Sequence, residues 1–209
     1  MLADHQTMSY WDHITGECVH SERKGLRLPV ANLHQTTAAA LDTWPDARIA
    51  ISGHPFNPNA GPSQLRSEGR FQLGGFFEGT MGADDTRRDR TDLGLGLWAD
   101  NVTRYYPLSA LRDVDGFILD ALDSRPVLIV LDRSTGVPAA YFVEASSAHS
   151  HADHLHLDNG LTFADGIFHY ASGDPVIPDR PMQLFSRWYG CSFTFPDCEI
   201  YEPKKAPAV

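Results

Sequence analysis

Residues 93–142 read LGLGLWADNVTRYYPLSALRDVDGFILDALDSRPVLIVLDRSTGVPAAYF, and this stretch decides the fold class. LGLGLW and VTRYY flank Ala99-Asp100-Asn101, the pattern of two strands joined by a tight turn. Pro107 and the following LSALRD predict one or two helical turns. GFILDAL and PVLIVLD are apolar strands separated by Asp123-Ser124-Arg125, and VPAAYFVEA follows a turn over 133–136. Downstream, Asp158-Asn159-Gly160 is the strongest single hairpin signal, because Asn-Gly supplies the positive φ angles of a tight primed turn. Asp165-Gly166 is a second. Upstream, Thr36 or Thr37 caps a short helix over AAALDTW, which Pro45 and Asp46 stop, and ARIAIS reads as a strand. Many short strands with a few short helices place the chain in the α+β class, built mainly on antiparallel sheet.

Two stretches near the ends are versions of one pattern. Residues 10–51 contain YWDHITGECVH and then TTAAALDTWPDARIAI; residues 167–202 contain IFHYASGDPVI and then SRWYGCSFTFPDCEIYE. Each has an aromatic opening, a His, a Ser/Thr-Gly-acid triplet, an amphipathic stretch, and an aromatic-Pro-Asp turn into an apolar strand. An internal pseudo-repeat within one domain, 1–209, is the expected organisation. The tail of a first repeat covers 9–53, a long connector 54–92, and a second repeat 93–203. Pro55, Pro58, Pro62 and the glycines between Gly53 and Gly82 give the connector its irregular character. Phe71, Phe76 and Phe77 are candidates to pin its middle to the core.

Composition limits the partners. The 209 residues are 42% hydrophobic and 21% charged, ordinary for a globular protein, with a net charge of -10. That charge argues against nucleic acid and anionic membranes, which call for a basic face. The one dense basic run, Arg87, Arg88 and Arg90, is interleaved with Asp84, Asp85, Asp89 and Asp92 and reads as a solvated mixed-charge loop. No window approaches the ~20 apolar residues of a membrane helix. The N-terminus lacks the basic start and apolar core of a signal peptide, so a cytoplasmic location is expected. Cys18, Cys191 and Cys198 cannot complete a disulfide framework and are expected as buried free thiols, the alternative being a Cys191–Cys198 pair in an exported protein.

These residues resemble a bacterial and archaeal family known as domain of unknown function 3179. The likeness is carried by LGLGLWADNVTRYYPLSAL, RPVLIVLD, VPAAYF, LDNGLTF and WYGCSFTFPDCEIYE, in that order, and by WDHITGE to IAIS as the tail of a first copy. It implies a two-copy architecture and no particular activity. Many relatives carry a Cys-Pro-Leu-Cys element in the first copy, at the place corresponding here to Leu131-Asp132-Arg133-Ser134. This chain lacks it, so thiol-redox or thiolate-metal chemistry based on that element does not transfer.

The densest polar cluster is His149, His151, His154 and His156 with Asp153, in SAHSHADHLHLDNG. Side chains two apart on a strand share a face, so His154 and His156 are placed to address one metal, and His149 and His151 to close the site from a preceding loop. Neutral imidazole suits copper, iron, zinc or nickel. The plainer reading is a solvated polar loop entering a strand. A second candidate is His13, Cys18 and His20, with His34 or His169 as a fourth ligand; its alternative is a core hairpin whose turn His13 caps. Glu17 and Asp174, which match each other across the echo, and Asp12 are candidate acids or bases, weighed against ordinary turn chemistry. Trp188, Tyr189, Phe193 and Phe195 read as core rather than a stacking platform. Phosphate-loop, dinucleotide and nucleophile-elbow motifs are absent.

The expectation is a metal-dependent enzyme acting on a small molecule through a His-ligated transition ion, with Asp153 nearby and redox chemistry favoured slightly over hydrolysis. The alternatives are a non-catalytic ligand- or protein-binding module and a structural domain whose histidines are incidental.

Overall fold

The computed structural model describes residues 1–28, 82–99, 101–132 and 135–203, with 44–48, 66–67, 70–71 and the single positions Thr37, Ala40, Leu41, Gly53, Gly75 and Gly79 between them. Strands β1 (Leu2–Ala3), β2 (Tyr10–Trp11) and β3 (Cys18–His20) form an N-terminal meander, and β4 (Arg66–Ser67) pairs with β5 (Arg70–Phe71) as a separate ribbon. The hairpin expected from LGLGLW and VTRYY is β6 (Leu93–Trp98) and β7 (Thr103–Pro107), and helix α1 (Leu108–Arg112) follows directly. β8 (Phe117–Leu122), β9 (Arg125–Asp132) and β10 (Val137–Phe142) form a second meander. A five-stranded meander comes next: β11 (Ala148–His151), β12 (His154–Leu157), β13 (Thr162–Ala164), β14 (Ile167–His169) and β15 (Pro175–Val176). The chain returns along β16 (Met182–Arg187) beside β6, passes through helix α2 (Trp188–Thr194), and ends in β17 (Glu199–Ile200), parallel to β7. The described residues are therefore mainly antiparallel β-sheet with these two short helices. Among them no helix is long and apolar enough to cross a membrane.

The unbroken apolar run of β9 has a direct cause: its sheet is buried on both faces. Val127 and Ile129 point to one side, against Leu95, Leu97, Tyr106 and Leu111. Leu128 and Val130 point to the other, against Leu155, Leu157, Phe163 and Phe168. Each such side chain, fully withdrawn from water, contributes about 2 kcal/mol. The β8–β10 sheet is thus the middle layer, between the β16-β6-β7-β17 sheet and the five-stranded meander. Beyond the β16-β6-β7-β17 sheet lies α2, packed on Tyr105.

The glycines of LGLGLW serve this outermost contact. A Cβ at Gly96 would stand 2.9 Å from the Cys191 Sγ of α2, and one at Gly94 would fall on the Tyr105 ring and 2.5 Å from the Tyr106 carbonyl. The helix therefore sits where the strand has no side chains.

Gln183 joins the middle layer to its neighbour. Only 3% exposed, it accepts from the Ala140 N–H at 3.0 Å and donates to the Ala140 carbonyl at 3.1 Å. Ala140 lies on β10, the edge of the middle sheet, where these groups have no strand partner. Two residues on, the Phe142 N–H donates to the Asp179 carbonyl at 2.7 Å.

Turn geometry departs from one expectation. Asp165-Gly166 forms a two-residue primed turn, with φ of 51° and 83°, but at Asp158-Asn159-Gly160 only Gly160 has positive φ, 86°. The Leu157 N–H donates to the Leu161 carbonyl at 2.9 Å, so this loop holds three residues with glycine in the left-handed position. Asp158 is occupied elsewhere, as described below. Asp123 and Ser124 supply another primed turn with φ of 48° and 65°, from residues without a glycine signal.

Arg87, Arg88 and Arg90 are not simply solvated. They pair with Asp85, Asp92 and Asp84, and Arg87 also donates to the Pro196 and Cys198 carbonyls at 2.9 Å each. The Asp92 and Arg90 carbonyls accept from the Trp188 and Tyr189 N–H groups at 2.7 and 3.2 Å, capping α2 in place of a side chain. The end of the expected connector is therefore structural. Most of 54–81, including Phe76 and Phe77, lies outside the described residues, as does the expected strand from Ile49 to Ser52. Ala40 and Leu41, in the expected first helix, are helical.

Replacing Gln183 by Leu leaves the Ala140 groups unpaired in a dry interior and is expected to cost about 3 kcal/mol. Urea unfolding would show this as a lower midpoint at unchanged slope.

Candidate metal centre

The register of β11 and β12 puts His149 opposite His156 and His151 opposite His154. Alternation then places all four imidazoles on one face, while Leu155 and Leu157 point into the core. His149 and His151 belong to a strand, not to the expected preceding loop. The next pairings carry the row onward, His156 to Thr162 and Thr162 to His169. His169, expected beside His13, therefore lies on the imidazole face of the meander.

Cross-strand pairing brings the His149 and His156 ring centroids to 5.3 Å, and the two-residue spacing along β12 leaves His154 and His156 6.1 Å apart. Two imidazoles on one ion, with metal–nitrogen bonds near 2.1 Å and a tetrahedral angle, have centroids about 5 Å apart. The first pair meets that spacing, and the second is within a side-chain rotation of it. Thr162 Oγ1 lies 3.3 Å from His156 Nδ1. When Nδ1 carries the proton it donates to Thr162, leaving the Nε2 lone pair for a ligand. His149, His151 and His154 are exposed and His156 and His169 half-buried, so an ion would sit at the surface. Among the described residues no three His, Cys, Asp or Glu groups are already converged at ligating distance.

The second set is not assembled. Cys18 is buried, and its thiol donates to the His20 carbonyl at 3.1 Å. His20 is exposed and tilts against Tyr10 with centroids 5.4 Å apart. His13 is exposed in the turn, its Nδ1 3.3 Å from the Met1 amino group. His34 lies outside the described residues.

The echoed carboxylates form turns. Asp12 Oδ1 accepts from the Ile14 and Thr15 N–H groups at 2.7 and 2.9 Å. Partial burial pulls its carboxyl upward, but these amide donors outweigh it and hold it below its ordinary value. Glu17 faces Arg27 at 3.6 Å on an exposed surface, and Asp174 accepts from Ser172 Oγ at 2.7 Å. Asp12 and Glu17 meet across the turn through their backbones, the Asp12 N–H donating to the Glu17 carbonyl at 2.8 Å, while the three carboxylates make separate contacts.

Asp153 stands on the exposed turn between β11 and β12, at the rim of a cleft of about 380 Å³. His154 also lines this cleft, as do Phe117 and Phe163, with Asp115, Asp132 and Asp165 around its mouth. Sequence reading missed these three aspartates because each sits in an ordinary turn pattern. Thr162 and His169 were missed as partners of His156 because only strand register makes them neighbours.

The β11–β12 hairpin is closed by Asp158. Its carboxylate accepts from Ser146 Oγ at 2.5 Å and from the Ser146 and Ser147 N–H groups at 3.1 and 3.0 Å.

Comparison with family models, with curated proteins and with solved structures finds no match to this chain.

Ser146 first, with both serine amides behind it, holds the Asp158 carboxyl below its ordinary value of 3.8. A depressed acid contributes its interaction fully above that value and loses it as pH falls through the lower, folded one. The Ser146 and Ser147 amide resonances are therefore expected to move with falling pH in a transition whose midpoint lies below 3.8. Asp158→Ala should give the shifted positions at neutral pH.

Proposed function

We propose that this protein is a metal-dependent enzyme that holds one first-row transition ion on the imidazole face and takes a small molecule in the adjoining cleft. The observation that carries the reading is the 5.3 Å approach of His149 and His156 across β11 and β12. His154 links the two parts, since it belongs to the imidazole face and also lines the cleft. Rotation of His154 or His151 supplies the third ligand, and Thr162 orients His156. Asp153, at the cleft rim, is the group placed to exchange a proton with a bound molecule. A nitrogen-only ligand set suits copper, iron or zinc, and an open surface site with free coordination positions favours redox chemistry slightly over hydrolysis. The exposure of three of the imidazoles favours the competing reading, a binding module without turnover.

The same proposal reads the chain as an α+β relative of the domain-of-unknown-function 3179 family with a duplicated element. Two local likenesses support it. Both echoed hairpins place a glycine at positive φ, Gly16 at 72° and Gly173 at 88°. In both aromatic-Pro-Asp turns the aromatic N–H donates four residues back, Trp44 to Ala40 at 2.8 Å and Phe195 to Cys191 at 2.8 Å. In both, the aromatic carbonyl accepts from three residues on, from Ala47 at 2.9 Å and Cys198 at 3.1 Å.

Metal analysis of untagged protein is expected to find one copper, iron or zinc per chain. His156→Ala should weaken binding by about 100-fold, and Thr162→Val by about tenfold, the usual effect of losing an orienting partner. Asp153→Asn should retain the metal while losing turnover. Protein that stays metal-free when each ion is supplied overturns the reading. Metal binding that persists in His149→Ala/His156→Ala would place the ion elsewhere.

A further inference from the structure

The loop between β12 and β13 holds the chain's one asparagine followed by glycine, Asn159-Gly160. A main-chain nitrogen that attacks the side-chain carbonyl of the preceding asparagine closes a five-membered ring, and a Cβ on its own residue obstructs the approach. Asn32, Asn59 and Asn101 precede Leu, Ala and Val, and Asn57 precedes Pro, which has no N–H to lose. Gly160 has no such obstruction, and beyond its chain neighbours no heavy atom lies within 4 Å of where a Cβ would stand. Asn159 and Gly160 are both exposed, so water has access to the amide.

Two hydrogen bonds of the loop bear on this reaction. The Leu161 N–H donates to Asn159 Oδ1 at 3.1 Å. That bond turns the side chain back over its own following peptide and faces the oxygen on which negative charge grows during attack. The Gly160 N–H donates to the Leu157 carbonyl at 3.0 Å and must leave it before the nitrogen can react. The bond lies in an exposed loop, where opening is local. The neighbouring strand is held independently, because Asp158 is tied to Ser146 and Ser147 and β12 pairs with β11 along its length.

We propose that Asn159 is a site of spontaneous deamidation, and that its isoaspartyl product unlocks β13 from β12 beside the imidazole face. The Gly160 nitrogen, its proton taken by a solvent base, attacks Asn159 Cγ. A nitrogen–carbon bond forms, the bond from Cγ to the side-chain nitrogen breaks, and that nitrogen takes up a proton and leaves as ammonia. Water then opens the cyclic imide at one of its two carbonyls. Opening at Cγ gives aspartate; opening at the main-chain carbonyl gives isoaspartate, in which the chain runs through Cβ and Cγ. One water is consumed and one ammonia released, with no change of oxidation state.

Isoaspartate carries an extra carbon in the main chain, between His156 and Thr162. The loop is closed by the Leu157 N–H on the Leu161 carbonyl at 2.9 Å, and beyond it His156 is registered against Thr162. A longer loop with an added carboxylate does not fit that closure, so the pairing opens from this end. In the metal reading above, this separates His156 from Thr162 Oγ1. The modification itself does not depend on that reading.

The test is to hold the purified full-length chain at mildly alkaline pH and body temperature beside a peptide of residues 154–164, and to follow both by mass and peptide mapping. Asn159 is expected to exchange its amino group for hydroxyl at a rate within about tenfold of the peptide's, because the loop bond opens locally. Asn32, Asn57, Asn59 and Asn101 should stay unchanged over the same period, and Asn159→Gln should be inert. The isoaspartyl form, separated by ion exchange, is expected to exchange the Leu157 amide hydrogen at least about tenfold faster than fresh protein. Slower conversion at Asn159, or faster conversion at another asparagine, overturns the modification site. A smaller change at Leu157 overturns the unlocking. Both readouts are independent of metal, so a chain that deamidates and binds no ion overturns only the reading of the imidazole face.

Discussion

The paired hydrogen bonds between the Gln183 amide and the Ala140 backbone are the joint on which the layered arrangement depends. A three-stranded sheet buried on both faces has no polar face to turn to water, so its exposed edge must be closed by protein. Gln183 does this with a side-chain amide that imitates a neighbouring strand, and the Asp179 carbonyl continues the closure at Phe142. The β6–β7 hairpin, the middle meander and the five-stranded sheet can then stack in one order. Without the joint, the two apolar faces of β9 would still demand cover, but nothing would fix which strand lies beside β10.

This layering decides where chemistry can occur. The middle sheet is committed to packing on both sides, and its Asp120 carboxylate is already occupied, accepting from Arg104 Nη1 at 2.7 Å and from the Tyr106 hydroxyl at 2.9 Å. The proposed metal site accordingly lies on an outer surface. There the five-stranded sheet turns Leu155, Phe163 and Phe168 inward, and alternation sends the histidines outward as a set. On the opposite side, α2 packs on β6 at Gly96, where a Cβ would stand 2.9 Å from the Cys191 Sγ.

Several elements were legible because local chemistry and tertiary context agree. LGLGLW and VTRYY alternate, turn and pair as they read; Pro107 starts a short helix; PVLIVLD is apolar because both of its neighbours are. The imidazole cluster was legible as a composition. Its arrangement was not, because His149 and His151 look like loop residues until β11 pairs with β12. The turn at Asn159-Gly160 shows the competing effect directly. The dipeptide favours a two-residue primed turn, but Asp158 is drawn to the Ser146 and Ser147 donors and the loop lengthens to three residues. The reverse holds at Asp123-Ser124, where strand register forces two left-handed residues that no glycine announces. The Arg87 run read as solvated charge, and only the position of α2 reveals that its carbonyls and guanidinium clamp the helix.

By itself the sequence determined a mainly antiparallel β-sheet architecture, the short strands and most of their turns, because these follow from side-chain period, β-propensity and backbone restriction over a few residues. It also determined that histidine is concentrated in one place and that three thiols stand without a disulfide framework. Only the tertiary structure decided which of these groups are neighbours. His169 joins His156 through Thr162, not His13, and Cys18 is turned away while Cys191 and Cys198 share one buried cluster. The reason is physical: register and layer order are set by burying distant apolar faces against one another, and polar side chains are carried to their partners by that packing.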